Sequence, residues 1–585
     1  MKLEITPWLQ VLCVVTLLPL LLCLDAPEKH KAVIIIGAGA AGLTAATELA
    51  NSGVDDFLVL EAEDRLGGRI FNIPYEWDTS IDLGAQWLYG QKGNIVYEMA
   101  KPLGLVQEEC DTSNNFISAN SSGAPISREA DLALFDVMEG IIEDNVGLAK
   151  QSRPLGDYVR ERLRLEIPEI IELHHLQHGP TFEQVTEYVD KHQSVNHASD
   201  SWFETSTTSE TELNEDEGCP YNLWKKGGFG NFFKVLMRQV SGQTPVDLSN
   251  KILYKKEVNK IDWEYQNGAA VSCSDGSVYT AYKIIITVPL GVLKSNLITF
   301  VPSLPAQKLN AIQGLNFGTV DKIFIRFPAK WWKDGCQGFN FYWTQQDKTD
   351  LFKDMVHVDG KPWVWGILGF YMDAEDPLTL LGKYHISESY WTQQDKMDLF
   401  KDMVHVDGKP WVWGILGFYM DAEDPLTLLG WIAGPTARYM ETLPMAVLQA
   451  DIMRLFRHFL GGAYIIPEPI RIVRSAWSIN PHFRGSYSSR SVTTDRLNTS
   501  AADLAAPVIN REGRPVLLFA GEATSPHHYG TVNGAVESGA RETANAIVYL
   551  RREGFFEKLV NIAVKELEHK GNQVGRILNL FGGGI

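Results

Sequence analysis

Val33-Ile34-Ile35-Ile36 runs directly into Gly37-Ala38-Gly39-Ala40-Ala41-Gly42, and Glu61 follows nineteen residues after Gly42. An apolar β-branched run, a glycine turn and an acid at this distance describe a strand, a helix and the end of a second strand. That is the opening βαβ unit of a dinucleotide-binding sheet. Gly37 permits the tight turn, Gly39 lets backbone approach a pyrophosphate, and Gly42 lets the helix pack close to the sheet. The phosphates then meet a helix N-terminus, where free N–H groups and the dipole favour anions. Glu61 can accept from ribose hydroxyls. Arg65-Leu-Gly-Gly-Arg69 follows in register, and Arg69 suits phosphate oxygens because guanidinium pairs them bidentately.

The chain of 585 residues is long enough for two or more domains. Its net charge of −19 argues against nucleic acid or an anionic membrane surface as the main partner. Trp8 to Leu24 is an almost unbroken apolar run, read as a secretory signal peptide within residues 1–26. A secreted or secretory-pathway location is therefore expected, with membrane anchoring by an uncleaved segment as the alternative. Removal of the signal leaves Cys110, Cys219, Cys273 and Cys336, which allow up to two disulfides in any of three pairings. Their spacing does not suggest a metal site, and none is expected. Asn120-Ser-Ser122 and Asn498-Thr-Ser500 are glycosylation sequons if the chain is exported.

Apolar spacing reads residues 125–192 mostly as helices, and composition reads 194–219 as a solvated or disordered loop. Strands are expected at 251–254, 258–263, 269–274, 283–288 and 516–519. Helices are expected at 441–460 and 534–549, and Asp82 to Gly90 reads as a turn. Residues Tyr342–Gly382 recur as Tyr390–Gly430, offset by 48, with only Thr349 against Met397 differing. Two copies do not make a solenoid. A single core has one place for such a segment, so one copy is expected to be an insertion.

Three further segments complete a recognisable set: Phe317-Gly-Thr-Val-Asp-Lys322-Ile-Phe324, Trp477 to Tyr487, and Ala520-Gly-Glu522-Ala-Thr524 through Thr531-Val-Asn-Gly-Ala535. With the N-terminal unit, they make the chain resemble the flavin-dependent amine oxidases, and within them the polyamine oxidases. The resemblance implies an α/β fold: a Rossmann-like FAD-binding domain built from discontinuous segments (30–95, 225–300 and 505–550) and an α+β substrate-binding domain (96–224 and 301–504). Residues 551–585 are read as a C-terminal helical tail.

The resemblance also implies site residues. Gly37, Gly39, Ala41, Gly42, Glu61, Arg69, Trp87, Leu88, Val258, Glu522, Thr531 and Val532 match positions that hold FAD. Ser486 stands where relatives with covalent flavin carry a cysteine, so non-covalent FAD is implied. Lys322 matches the lysine that holds a water near the flavin N5, and burial there would lower its pKa. Tyr487 matches one wall of an aromatic cage, with Thr531 at the other wall position. Tyr89 stands where animal polyamine oxidases carry histidine, so it supplies a hydroxyl in place of an imidazole. The implied reaction is oxidation of a polyamine (spermine, spermidine or an N1-acetylated form) at a secondary amine, with oxygen as the final acceptor. The products are an aminoaldehyde, a shorter amine and hydrogen peroxide. A secreted L-amino-acid oxidase and a flavin-binding protein with little turnover are the alternatives. The residues leave oligomeric state open.

Overall fold

The structure, a computed structural model, describes residues 30–76, 79–109, 116–120, 126–144, 147–148, 152–173, 180–213, 216–240, 242–266, 268–355, 357–358, 361–362 and 410–554. The apolar run Trp8–Leu24, Cys110, the end of the first sequon and the tail beyond Gly554 lie outside the described residues.

The opening strand His30–Ile36 is flanked in parallel by Phe57–Leu60 and Val278–Ile286, with Ile34 opposite both Leu58 and Ile284. A strand buried on both faces reads as a continuous aliphatic run, and Val33, Ile34 and Ile35 are fully buried. Val278–Ile286 begins earlier than the sequence suggests because its two halves have different neighbours on one side. Its first half pairs antiparallel with Ala269–Cys273, and its second half pairs parallel with Pro515–Phe519. Segments more than 450 residues apart in sequence are thereby joined in one nine-stranded sheet. The closing helix Val532–Arg552 packs on the first helix, Ala40–Asn51, and Gly539 allows it: a Cβ there would lie 2.3 Å from the Ala41 carbonyl oxygen.

A second sheet runs in the order Arg471–Arg474, Val320–Arg326, Thr427–Ala433, Ile415–Met420, Gly338–Tyr342, Phe116–Asn120. Phe327, Phe341, Phe418, Phe456 and Phe459 form the core between this sheet and the helix Met445–Leu460. The single helix expected over 441–460 is two, Gly434–Thr442 and Met445–Leu460. Pro444 causes the break, since the residue before a proline is driven out of the helical region, and Leu443 has ψ 140°. Helices Arg128–Ile142, Leu155–Leu173 and Phe182–His197 share an apolar cluster, as the spacing over 125–192 predicts.

The reading of 194–219 as a solvated loop is corrected. Trp202, Ser199, Thr205, Ser206 and Thr207 are buried, and Ser206 caps a helix at Thr207–Glu212. The Ser206 hydroxyl accepts from Thr208 N–H at 3.1 Å and the Ser209 hydroxyl pairs with that of Tyr529 at 2.8 Å, which lets these polar side chains be buried, while the Ser199 and Thr205 hydroxyls are buried without a partner. Asp82 to Gly90 is likewise more than a turn, since it contains the strand Trp87–Tyr89.

One composite copy of the repeat fills the core. The helix Gln345–Met355 comes from the first copy, and the strands Ile415–Met420 and Thr427–Ala433 come from the second, apart from the last three residues. Residues 363–409 lie outside the described residues. At the seam, Glu187 pairs with Lys348 of the first copy and accepts from the Trp413 indole of the second at 3.3 Å. Cys219 is disulfide-bonded, while Cys273 and Cys336 are buried thiols, so the second disulfide allowed by the cysteine count does not form.

Candidate active site

A cavity of about 1400 Å³ runs from the glycine turn to the second sheet, lined at one end by Gly39, Glu61 and Arg69 and at the other by Asp131, His192 and Asn340. Gly37 has φ 105°, and a Cβ on Gly42 would lie 2.0 Å from the Gly37 carbonyl oxygen, so the turn and the helix contact both require glycine. A Cβ on Gly39 would meet no protein atom closer than 3.9 Å, and any side chain there would fill the groove itself.

The Glu61 carboxylate accepts from Ala38 N–H at 2.6 Å and Glu63 N–H at 2.8 Å, joining the glycine turn to the end of the second strand. Burial raises its pKa, and the two backbone hydrogen bonds partly offset this. Each oxygen keeps a further lone pair. Arg69 donates from Nη1 to Ser486 O and Glu522 Oε1, both at 2.8 Å. The other Glu522 oxygen accepts from Ser488 Oγ at 2.6 Å and Gly530 N–H at 2.8 Å. Glu522 is thus a cross-link between the end of Pro515–Phe519, Arg69 and the segment before the closing helix. Arg69 retains three further N–H donors. Ala41 and Leu88 are buried, and Val258 lies on the strand Val258–Asp262; all three line the cavity, as does Trp87. Val532 opens the closing helix, where an N–H has no intrahelical partner. Thr531 also lines the cavity. Its hydroxyl is the N-cap, accepting from Gly534 N–H at 3.0 Å and donating to His528 O at 2.7 Å. Open groove space over Gly39, acceptors at Glu61, guanidinium donors at Arg69 and a helix N-terminus at Val532 fit the ribose, pyrophosphate and flavin portions of FAD.

Lys322 projects from the fully buried strand Val320–Arg326. Its ammonium donates to Asp82 O at 2.8 Å, Gly84 O at 2.7 Å and Gln86 Oε1 at 2.7 Å. It lies 4.7 Å from the Trp431 ring and 5.8 Å from the Trp87 ring, and these two indoles stack at 5.1 Å. Burial pushes the ammonium well below the usual lysine range and the nearby Asp82 carboxyl well above the usual carboxylate range. Each charge partly restores the other. The protonated amine has three donors and three acceptors, so a water can replace a partner only when the amine is neutral or the Gln86 amide yields.

Tyr487 faces the same cavity and donates its hydroxyl to Val195 O on the helix Phe182–His197. Tyr89 is 47% exposed, but to the cavity: desolvation raises its hydroxyl pKa, with Tyr221 adding to the rise. Its ring packs edge-on against Tyr221 at 5.9 Å. His192 also lines the cavity, and burial lowers its pKa to about 4, so it is neutral at physiological pH. Asp131, whose carboxyl burial pushes up, is held by the hydroxyls of Ser118 and Tyr342. Gln86, Asp131, His192 and Asn340 are absent from the sequence-based site. Gln86 was within reach, adjoining Trp87; the others depend on helix and strand placement.

Among known proteins, the family profile described as flavin containing amine oxidoreductase matches residues 40–376 and 384–547. The peroxisomal N(1)-acetyl-spermine/spermidine oxidase of Bos taurus is 26% identical over 551 residues, covering 88% of this chain and 95% of that protein. Lysine-specific histone demethylase 2 of Homo sapiens is 26% identical over 531 residues, covering 89% of this chain and 54% of that protein. In fold, the chain is similar to a redesigned putrescine oxidase, with a TM-score of 0.57 at 17% identity, covering 89% of this chain and 100% of that one.

Proposed function

The chain belongs to the flavin-containing amine oxidoreductase family and is an FAD-dependent amine oxidase, and from that premise we propose that it oxidises polyamines at a secondary amine. The observation that carries the reading is the cavity itself: one end fits FAD, Lys322 stands at its middle, and the other end presents Asp131, Tyr89, Tyr221 and neutral His192. Carboxylate and aromatic faces suit a flexible polycation. The similarity to a spermine/spermidine oxidase points the same way.

FAD, when bound, would supply the hydride acceptor for the carbon beside the amine nitrogen, with oxygen as the final electron acceptor. The protein holds and orients. Arg69 brings positive charge to the phosphates, and the Val532 amide offers a donor at a helix N-terminus. Ser486 contributes a hydroxyl that bonds Val320 backbone, in keeping with non-covalent flavin. Tyr487 and Trp431 bound the place where the reacting amine lies. Lys322, held below the usual lysine range by burial, can give up its proton near neutrality and then hold a water at Nζ. Water adding to the imine carbon releases the aldehyde and the shorter amine, and with FAD bound oxygen would take up the two electrons and two protons as hydrogen peroxide.

The test is aerobic turnover of purified flavoprotein with spermine, N1-acetylspermine, a monoamine and L-leucine, with peroxide quantified and products identified by mass. Aminoaldehyde from a polyamine is expected. Peroxide from leucine alone would make the chain an amino-acid oxidase and overturn the reading.

A further inference from the structure

One row of register partners crosses the second sheet. Lys322 is opposite Trp431, Trp431 opposite Gly417, Gly417 opposite Asn340, and Asn340 opposite Ser118. Register partners share a face of the sheet, and Lys322, Trp431 and Asn340 all line the cavity. At a strand spacing of about 4.8 Å, Asn340 stands roughly 14 Å along this row from Lys322. The one gap in the row is Gly417. A Cβ there would lie 2.7 Å from Asn340 Oδ1, so the absence of a side chain at Gly417 lets the Asn340 amide lie over it, towards Trp431.

The far end of the row holds polar groups suited to a cation. Asn340 is 9% exposed, and its Oδ1 has no hydrogen-bond partner. Beside it, Ser118 hydrogen-bonds the Asp131 carboxylate, and Tyr342 reaches the other Asp131 oxygen at 3.2 Å. Asp131 lines the same cavity. A buried acceptor without a donor and a half-buried carboxylate met by neutral hydroxyls are both costly, and one ammonium, with three donors, relieves both.

We propose that Asp131 and Asn340 form a distal amine subsite that binds a second, protonated nitrogen of the polyamine whose reacting amine lies at the Lys322 end. This rests on the polyamine reading above and sharpens it to a length preference. At roughly 1.2 Å per bond of extended chain, the inner nitrogen of spermine reaches its far terminal nitrogen at about 11 Å, comparable to the row. The nitrogens of putrescine, about 6 Å apart by the same measure, fall well short.

The experiment is anaerobic flavin reduction in the purified holoenzyme, titrated with spermine, putrescine and butylamine. It compares wild type with Asp131→Asn and Asn340→Leu, and flavin content reports folding. In Asp131→Asn the apparent Kd for spermine is expected to rise about tenfold or more, because a charge-assisted contact is lost. The limiting reduction rate should stay within about twofold, and putrescine and butylamine should respond as in wild type. Asn340→Leu should act in the same direction, more weakly. Reduction of wild type by spermine with undiminished spermine affinity in both variants would overturn the subsite alone, as would equal weakening for all three amines. A wild-type enzyme that no polyamine reduces would overturn the subsite together with the reading beneath it.

Discussion

The two ends of the cavity are built in opposite ways. At the nucleotide end, the polar side chains have partners within the protein: Glu61 holds two amides, Arg69 and Glu522 hold each other, and Thr531 caps a helix. At the amine end, polar groups stand unmatched: the Asn340 carbonyl and the Trp431 indole N–H are buried without partners, and Asp131 meets hydroxyls. The first end is preorganised around backbone and local motif. The second is assembled by strand register and left short of a ligand. Lys322 belongs to both, because its proton is held by the segment Asp82–Gln86 while its strand starts the row towards Asn340.

This contrast can be broken first at the nucleotide end. Gly39→Val places a branched side chain in the groove, and nearly complete loss of flavin from otherwise folded protein is expected, read as the flavin-to-protein absorbance ratio. Retained flavin would mean that the cofactor does not cross the glycine turn. Next comes the junction. Lys322→Met should keep flavin but slow its anaerobic reduction or its reoxidation by about 100-fold or more, the usual scale of a positioned proton-handling group. Equal rates in both half-reactions would remove Lys322 from the chemistry.

Smaller in effect is the pH dependence. The protonated Lys322 amine is fully engaged as a donor, and the neutral amine gains a lone pair. The step that Lys322 serves should therefore speed up as pH rises through an apparent pKa below the ordinary lysine value of 10.5. That limb should stay fixed when the substrate is changed and vanish in Lys322→Met. A limb that moves with each substrate's own amine pKa belongs to the substrate instead. The smallest effect is expected from removing residues 363–410, which joins Pro362 to Trp411 and restores one uninterrupted copy of the repeat. Soluble, flavin-loaded protein with a Tm within a few degrees of wild type is expected, and insoluble or flavin-free protein would show that both copies are needed.

The same contrast decides what could be read from the sequence. Gly37, Gly42, Glu61 and Arg69 act within one βαβ unit, where spacing along the chain is spacing in space. Most strands, the helices over 125–192 and the closing helix were also legible from periodicity. Lys322 and Tyr487 could be named through family resemblance, but not the three acceptors around the ammonium. The row from Lys322 to Asn340 was out of reach, because alternation shows which face a residue takes and not which residue lies opposite. The repeat lies inside that row and hides it further: Gly417 is the second copy of Gly369, and only the fold selects between them. Residues 194–219 misled by composition. Their hydroxyls look solvated in sequence, but Ser206 caps the helix Thr207–Glu212 and its neighbours are buried.

The most direct test of the joined cavity is the anaerobic bleaching of bound flavin by spermine in the wild-type protein. Loss of the oxidised flavin band with spermine, at a rate exceeding that with a monoamine or L-leucine, is the predicted result. An oxidised band that persists with every amine would contradict the account, leaving a flavin-binding protein whose second end serves something other than amine oxidation.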